Sequence, residues 1–180
     1  MNEAIIFLTK GFEEIEAVAV IDILRRGGIK TASVSLTGEK KIVGSHEIIL
    51  HADFVFDEIK FSHEEIFILP GGPGTSTYKN HGAFLELLKK HDSLGGKIAA
   101  ICAAPTILGE LGLLAQKTAV CYPTLEKNLH AKKISDASTI TDANITTSKC
   151  PASSIEFALE ILRIKKGDAE AKRVANAMCV

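Results

Sequence analysis

The chain has 180 residues, a formal net charge of −1, and 46% hydrophobic and 24% charged residues. This composition is ordinary for one globular domain, here residues 1–180, and the near-zero charge gives no electrostatic basis for binding nucleic acid or an anionic membrane. No apolar run approaches the roughly 20 residues of a membrane span, and the first residues lack the basic segment of a signal peptide, so we expect a cytoplasmic location.

Segments typical of strands and helices alternate along the chain. In chain order, the patterns predict a strand at 4–8, a helix at 13–26, a strand at 31–36, a hairpin arm or edge insertion at 41–50, a strand at 65–69, a helix at 81–91, a strand at 98–101 followed by a helix, strands at 118–121 and 145–147, and helices at 153–166 and from 169 onward. Ser153 and Glu156 have the spacing of a capping box. This alternation predicts an α/β fold with a doubly wound, mostly parallel sheet between helices, in which ligands bind beyond the carboxyl ends of the strands.

The most informative segment is the strand that ends at Cys102 and turns directly into a helix. Ala100 and Ala104, two residues before and after the cysteine, are small, as in a nucleophile elbow. The N–H groups of the following helix favour a thiolate, so we expect the pKa of Cys102 to lie below about 8.5. The alternative is a buried structural cysteine.

Two other loops should meet Cys102 at the same edge of the sheet. Glu16 lies in the first turn of the first helix, where it can exchange a proton with the sulfur, although an acidic residue there is more often simple dipole compensation. Gly71 and Gly72 follow the strand at 65–69. Their N–H groups, with that of Ala103, can form an oxyanion hole, although a plain turn explains the same pattern.

The histidines and the other cysteines do not indicate a second catalytic group. His91 falls on the apolar stripe of its helix and is expected to be structural, and His130 lies in a polar segment and is expected to be solvated. With four widely spaced cysteines and no CxxC pair, neither a zinc site nor a dithiol motif is indicated. We expect no metal and no cofactor.

Four segments stand in a fixed order along the chain: Lys10-Gly-Phe-Glu-Glu-Ile-Glu16-Ala, Ile68-Leu-Pro-Gly-Gly72, Ala99-Ala-Ile-Cys102-Ala-Ala-Pro and Thr147-Ser-Lys-Cys-Pro-Ala-Ser-Ser. This order, over essentially the whole chain, resembles the ThiJ/PfpI superfamily, and within it the DJ-one branch of the Parkinson-disease protein deglycase and its bacterial relatives. The resemblance implies a flavodoxin-like homodimer that needs no cofactor. Cys102 would be the reactive, oxidisable nucleophile, Glu16 the carboxylic acid that hydrogen-bonds it, and Gly72 and Ala103 the backbone donors.

The chain departs from the family pattern at three positions near the expected site. Tyr122 stands where several members carry a histidine, which removes a Cys-His couple. Lys149 replaces the usual arginine and loses its bidentate geometry. Cys150 replaces the usual glycine and either lines the substrate pocket with Gly71, Tyr122 and Lys149 or only fills space in its loop.

Two functions from different classes remain open. The first is a glyoxalase or deglycase type of enzyme, in which Cys102 adds to a small α-oxoaldehyde or its adduct. The second is an oxidative-stress sensor or chaperone-like protective protein that uses the same oxidisable thiol. A divergent scaffold without either activity is the blander alternative.

Overall fold

The computed structural model describes residues 2–180. Its strands are β1 (Ala4–Leu8), β2 (Thr31–Ser35), β3 (Lys41–Val43), β4 (Ile49–His51), β5 (Phe54–Val55), β6 (Ile66–Leu69), β7 (Ile98–Ile101), β8 (Thr118–Ala119), β9 (Lys133–Ile134), β10 (Thr139–Asp142) and β11 (Ile145–Ser148). Its α-helices are α1 (Glu14–Arg26), α2 (Gly82–Ser93), α3 (Pro105–Glu110), α4 (Ser154–Lys166) and α5 (Asp168–Ala177). Short 3-10 segments lie at Phe56–Glu58, Pro73–Asn80, Glu126–Asn128 and Pro151–Ser153.

A seven-stranded sheet in the order β10-β11-β7-β6-β1-β2-β5 forms the centre of the fold. Its neighbouring strands are parallel except for β10, which pairs antiparallel with β11. Every residue of β1, β6 and β7 is buried, which explains why these strands read as unbroken apolar runs. The predicted fold class is confirmed.

Helices cover both faces of this sheet. On one face, α1 and α4 pack together and α5 packs on α4, with buried side chains such as Val20 and Phe157 in the core beneath them. On the other face, Phe84 of α2 and Ile107 of α3 belong to a second core. Burying the apolar side of each helix against the sheet supplies the main driving force for this arrangement.

The chain crosses from one side of β1 to the other between β2 and β6, because β1 lies between these two strands. Such a switch in strand order opens a crevice at the carboxyl ends of the strands. The loops after β1, β6, β7 and β11 therefore meet at one edge of the sheet. Within residues 2–180, no helix combines the length and the apolar character needed to cross a membrane.

Most predicted elements are present, with some differences. The 41–50 segment belongs to the antiparallel ribbon β3–β4, outside the main sheet. The strands β5, β9 and β10 were not predicted, because they are only two to four residues long, too short for a periodic pattern. The predicted capping box is wrong: the Ser153 hydroxyl bonds Cys150 and Ser148, and no side chain caps α4.

Candidate functional site

Cys102 occupies a strained turn between β7 and α3. Its φ is +64°, a left-handed conformation that non-glycine residues rarely adopt and that is concentrated at functional sites. Ala100 and Ala104 are fully buried on either side, and Cys102 N–H donates to the Ser148 carbonyl at 2.9 Å. The elbow predicted from the small flanking residues is present.

Glu16 approaches the cysteine from the first turn of α1. Its side chain faces the core and is 0% exposed, and its Oε2 accepts the Gly71 N–H at 2.6 Å. Its Oε1 is buried without a hydrogen-bond partner. The Glu16 carboxyl and the Cys102 thiol flank Gly71 and shift each other's pKa. Of the three glutamates at this helix end, Glu16 is the one directed at the sulfur.

Gly71 fits between the carboxyl and the cysteine because it has no side chain. A Cβ added there would lie 2.6 Å from Cys102 Cβ and 2.9 Å from Glu16 Oε2. The Gly71 N–H is occupied by Glu16, so it is not a free oxyanion donor, contrary to one expectation for this glycine. The N–H groups of Gly72 and Ala103 face the Cys102 thiol and lower its pKa; their role as oxyanion donors stays a prediction.

The prediction that the pKa of Cys102 is lowered is wrong. Burial and, after it, the charge of Glu16 raise the pKa of the Cys102 thiol to about 12, against the Gly72 and Ala103 N–H groups, which lower it. The expected lowering rested on the dipole of the following helix. That helix, α3, has only six residues and begins with Pro105, which has no N–H, so its field is weak. The burial of the thiol cannot be predicted from the local sequence.

The pKa of the Glu16 carboxyl is shifted in the direction that suits proton transfer near neutral pH. Burial raises its pKa from 4.5 to about 7, and the hydrogen bonds from Gly71 and Cys102 oppose this rise. The pair therefore loses its first proton near neutral pH, and the resulting charge is shared between a carboxyl and a sulfur in contact. A carboxyl in this range is matched to general acid–base work.

The residues proposed as pocket wall lie around the same turn but make different contacts. The Tyr122 side chain is exposed, and its N–H donates to the Cys102 carbonyl at 2.8 Å. Lys149 Nζ donates to the Asp136 carbonyl, so its ammonium group is bound to the backbone of its own chain. Cys150 is half-buried at the start of the 3-10 turn, with its N–H donating to the Ser153 hydroxyl at 3.1 Å.

Both histidine predictions are confirmed. His91 is buried, stacks on Phe67 with ring centroids 3.7 Å apart, and places Nε2 3.1 Å from the Lys97 carbonyl oxygen. His130 is exposed. Among residues 2–180, the groups that perturb the Cys102 thiol are Glu16, Gly72 and Ala103, and none is a histidine.

The sequence analysis missed one contact that fixes the geometry of these loops. Gly74 N–H donates to the Gly11 carbonyl at 2.9 Å, and a Cβ on Gly74 would lie 2.1 Å from the Lys10 carbonyl oxygen. The loop after β1 is thereby locked onto the loop after β6. The sequence signal for this contact is a glycine shortly after each of the two strands, Gly11 after β1 and Gly74 after β6.

The fold and the site define a class of protein: a doubly wound α/β domain with a cysteine on the turn after a central strand and a buried glutamate beside it. The chain belongs to the DJ-1/PfpI family, whose model matches residues 2–164.

Individual relatives agree with this assignment over nearly the whole chain. The chain is 32% identical to "Protein dj-1beta" of Drosophila melanogaster, covering 99% of this chain and 97% of that protein. It is 33% identical to "Glutathione-independent glyoxalase DJR-1.2" of Caenorhabditis elegans, covering 93% and 90%. It covers only 41% and 45% of two longer Arabidopsis thaliana DJ-1 homologs. The solved structure of oxidized Toxoplasma gondii DJ-1 superposes with a TM-score of 0.93 at 30% identity, covering 99% of this chain and 98% of that one.

Proposed function

We propose that this protein is a cofactor-free enzyme that acts on small α-oxoaldehydes or their adducts, with Cys102 as nucleophile and Glu16 as proton carrier. The observation that carries the proposal is the contact between a strained, nearly buried cysteine and a fully buried carboxyl that titrates near pH 7. A thiol that is only 8% exposed suits a small substrate. The worm relative named as a glyoxalase supports this choice of substrate class.

The reactive form of the pair is the one in which Glu16 keeps the proton and Cys102 is a thiolate. A charge on Glu16 would sit on a fully buried carboxylate that faces the Gly71 N–H and the Cys102 thiol and has a partnerless Oε1. A charge on the sulfur meets three donors, the Gly72 and Ala103 N–H groups and the protonated Glu16 carboxyl. Buried charge is favoured where more donors face it, because each unsatisfied site costs desolvation energy. With Glu16 protonated, the carboxylate charge that opposes ionisation of the thiol is gone.

The chemistry follows from these positions. The thiolate adds to the aldehyde carbon of methylglyoxal, forming a C–S bond, and the oxygen takes the Glu16 proton to give a hemithioacetal. The Glu16 carboxylate then removes the proton from that carbon and delivers it to the neighbouring carbonyl carbon, while the hydroxyl proton passes to the former ketone oxygen, which yields a lactate thioester. Water cleaves the thioester to lactate and free thiol. The Gly72 and Ala103 N–H groups stabilise the oxyanions formed on the way. With a hemiaminal adduct of an amine, the thiolate forms the C–S bond as the C–N bond breaks, the amine leaves with the Glu16 proton, and the same hemithioacetal results.

The test is lactate production from methylglyoxal by wild type, Cys102→Ala, Glu16→Gln and a matched control, Cys179→Ser, which alters an exposed cysteine. We expect Cys102→Ala to abolish turnover and Glu16→Gln to lower it by about 10²–10⁴-fold, the usual worth of a positioned acid–base group. The Cys179→Ser control should retain wild-type activity. Equal rates for wild type and Cys102→Ala would end the proposal.

A second candidate function uses the same sulfur as a sensor of peroxide. The Gly72 and Ala103 N–H groups that face the thiol can equally stabilise a sulfinate. After mild peroxide, we expect a single adduct of two oxygens, about +32 Da by intact mass, that is absent in Cys102→Ala. Oxidation spread evenly over several cysteines would exclude this role. Either role requires a reduced thiol, so we include a cytoplasmic location in the proposal.

We also propose that the protein is a homodimer through the face formed by α1 and the β3–β4 ribbon. Four large apolar side chains on these elements are 44–56% exposed: Ile15, Val18, Ile48 and Ile49. The two elements adjoin, since the Ile48 N–H lies 3.4 Å from Glu14 Oε1. An adjoining set of exposed apolar side chains is typical of an interface. Sedimentation should show a dimer that dissociates in Val18→Lys, and a monomeric wild type would refute this assignment.

A further inference from the structure

The fold brings a second thiol to the cysteine site. Cys102 and Cys150 are far apart in the sequence, but they follow two strands, β7 and β11, that are parallel neighbours. The last register pair of these strands is Ile101 and Ser148, and the Cys102 N–H extends the pairing by donating to the Ser148 carbonyl at 2.9 Å. Cys102 therefore lies one residue beyond the last pair, and Cys150 lies two residues beyond it.

This register sets a separation that a disulfide can span. Neighbouring strands lie about 4.8 Å apart and rise about 3.3 Å per residue, so an offset of one residue places the two Cα atoms about 6 Å apart. The Cα atoms of disulfide-bonded cysteines are usually about 4.4–6.8 Å apart. The backbone at Cys150 is still extended, with φ −164° and ψ 174°, so the strand spacing applies as far as this residue.

Both sulfur atoms are directed to the same face of the sheet. Side chains alternate between the two faces along an extended chain, so Cys150 is on the side of Ser148, two residues before it. The Ser148 hydroxyl lies 2.7 Å from that of Ser153, the residue that precedes α4. Cys102 belongs to the core that α1 and α4 cover on that side. The two thiols therefore lie together near the N-terminal end of α4.

The exposure of each thiol suits a different step of an oxidation cycle. Cys102 is only 8% exposed, so a peroxide molecule reaches its sulfur more readily than a bulky thiol does. Cys150 is half-buried on the loop after β11 and is more open to solvent. The other two cysteines are placed elsewhere, since Cys121 belongs to the core on the opposite face and Cys179 is exposed after α5.

We propose that Cys150 is a resolving thiol that closes an intrachain disulfide with oxidised Cys102. In the first step, the Cys102 thiolate attacks one oxygen of hydrogen peroxide and the O–O bond breaks. The products are a sulfenic acid on Cys102 and a hydroxide that takes a proton to become water. In the second step, the Cys150 sulfur forms the S–S bond, and the sulfenic hydroxyl leaves with the Cys150 proton as water. Two electrons have then passed from the two thiols to the peroxide.

An external dithiol reverses this oxidation. Its thiolate attacks the more exposed Cys150 sulfur, the S–S bond breaks, and the Cys102 thiolate leaves, facing the Gly72 and Ala103 N–H groups. The second thiol of the reductant then displaces Cys150, and the reductant departs as its own disulfide. A sulfinate has no such return by thiols, and it forms only where excess peroxide oxidises the sulfenic acid before Cys150 reacts.

This proposal rests on the peroxide reactivity of Cys102 and not on the glyoxalase reaction. The test is treatment of the reduced, purified full-length chain with equimolar hydrogen peroxide, followed by an acid quench, intact mass and peptide mapping. Wild type should lose about 2 Da, yield a linked Cys102–Cys150 peptide pair, and regain both thiols on addition of dithiothreitol.

The decisive variant is Cys150→Ser, with Cys179→Ser as the matched control. Cys150→Ser should form no cross-link. Its Cys102 should instead be trapped by dimedone as sulfenic acid and reach the sulfinate, about +32 Da, in severalfold higher yield than in wild type. Cys179→Ser should behave as wild type, and circular dichroism reports whether each variant folds.

The outcomes separate this proposal from the peroxide sensor. A wild type that gains one or two oxygens on Cys102 without a cross-link overturns the role of Cys150 and supports the sensor. A wild type in which peroxide oxidises neither cysteine overturns both. A cross-link that persists in Cys150→Ser, or that joins Cys102 to another cysteine, also overturns the proposal. Diamide, which oxidises neighbouring thiols directly to a disulfide, should form the same bridge in wild type, and failure to form it overturns the geometric argument.

Discussion

The titration of Glu16 predicts that this protein loses stability as pH rises from about 4.5 to about 7. Burial raises the pKa of Glu16 from 4.5 to about 7, so between these values the folded chain holds a proton that the unfolded chain has released. Stability is therefore complete below about pH 4.5 and declines as pH approaches 7. A shift of this size corresponds to about 3 kcal/mol of unfolding free energy.

The change that isolates this effect is Glu16→Gln, which keeps an oxygen for the Gly71 N–H and removes the titration. Urea unfolding at a series of pH values from 4.5 to 8.5 gives the difference in unfolding free energy between wild type and variant. We expect wild type to lose about 3 kcal/mol relative to Glu16→Gln across this range. The exposed Glu47→Gln serves as control and should track wild type. A wild-type-minus-Glu16→Gln difference that does not change with pH would refute the reasoning.

Three further changes test the surroundings of the site and the fold. Gly71→Ala places a Cβ 2.6 Å from Cys102 Cβ, so we expect a loss of about 1–3 kcal/mol in urea unfolding together with reduced lactate production. Burial raises the pKa of Glu14, but hydrogen bonds led by those from His46 outweigh it and lower the value to about 2. Its stabilisation is therefore present above pH 4.5 and lost as pH falls towards 2, and the deficit of Glu14→Gln in unfolding free energy should shrink over that range. Tyr78→Phe removes a hydroxyl that lies 3.0 Å from the Phe7 carbonyl oxygen and 3.2 Å from the Pro70 carbonyl oxygen. The change should cost about 1 kcal/mol in the same assay without shifting the pH profile of activity.

Local sequence patterns were sufficient to predict the central elements of the fold. The strands β1 and β7 have the predicted bounds, because a run of apolar residues between polar or glycine-containing turns has one favourable place, inside a parallel sheet. The elbow at Cys102 was also predictable, since small residues two positions away on each side are a local steric requirement.

Properties that depend on packing were not predictable in the same way. Three glutamates open the first helix, and only the three-dimensional structure distinguishes Glu16, which faces the sulfur, from Glu13 and Glu14, which face the ribbon. The direction of the pKa shift of the Cys102 thiol depends on its burial and on its distance from a carboxylate. Neither can be predicted from the sequence alone. The Ser153 hydroxyl likewise bonds neighbours that only the fold brings to it.

The most direct measurement of the central claim is the pH dependence of Cys102 alkylation in wild type, Glu16→Gln and Glu16→Ala. If Glu16 holds the shared proton and donates it towards a thiolate, wild type should reach half-maximal rate at about pH 7 or below, where the pair loses its first proton. Glu16→Gln keeps a donor and should shift little, whereas Glu16→Ala should move the midpoint up towards or beyond about 8.5, the ordinary thiol value. A wild-type midpoint above about pH 9, or one that falls in Glu16→Ala, would show that the charge resides on the carboxylate and would contradict the account.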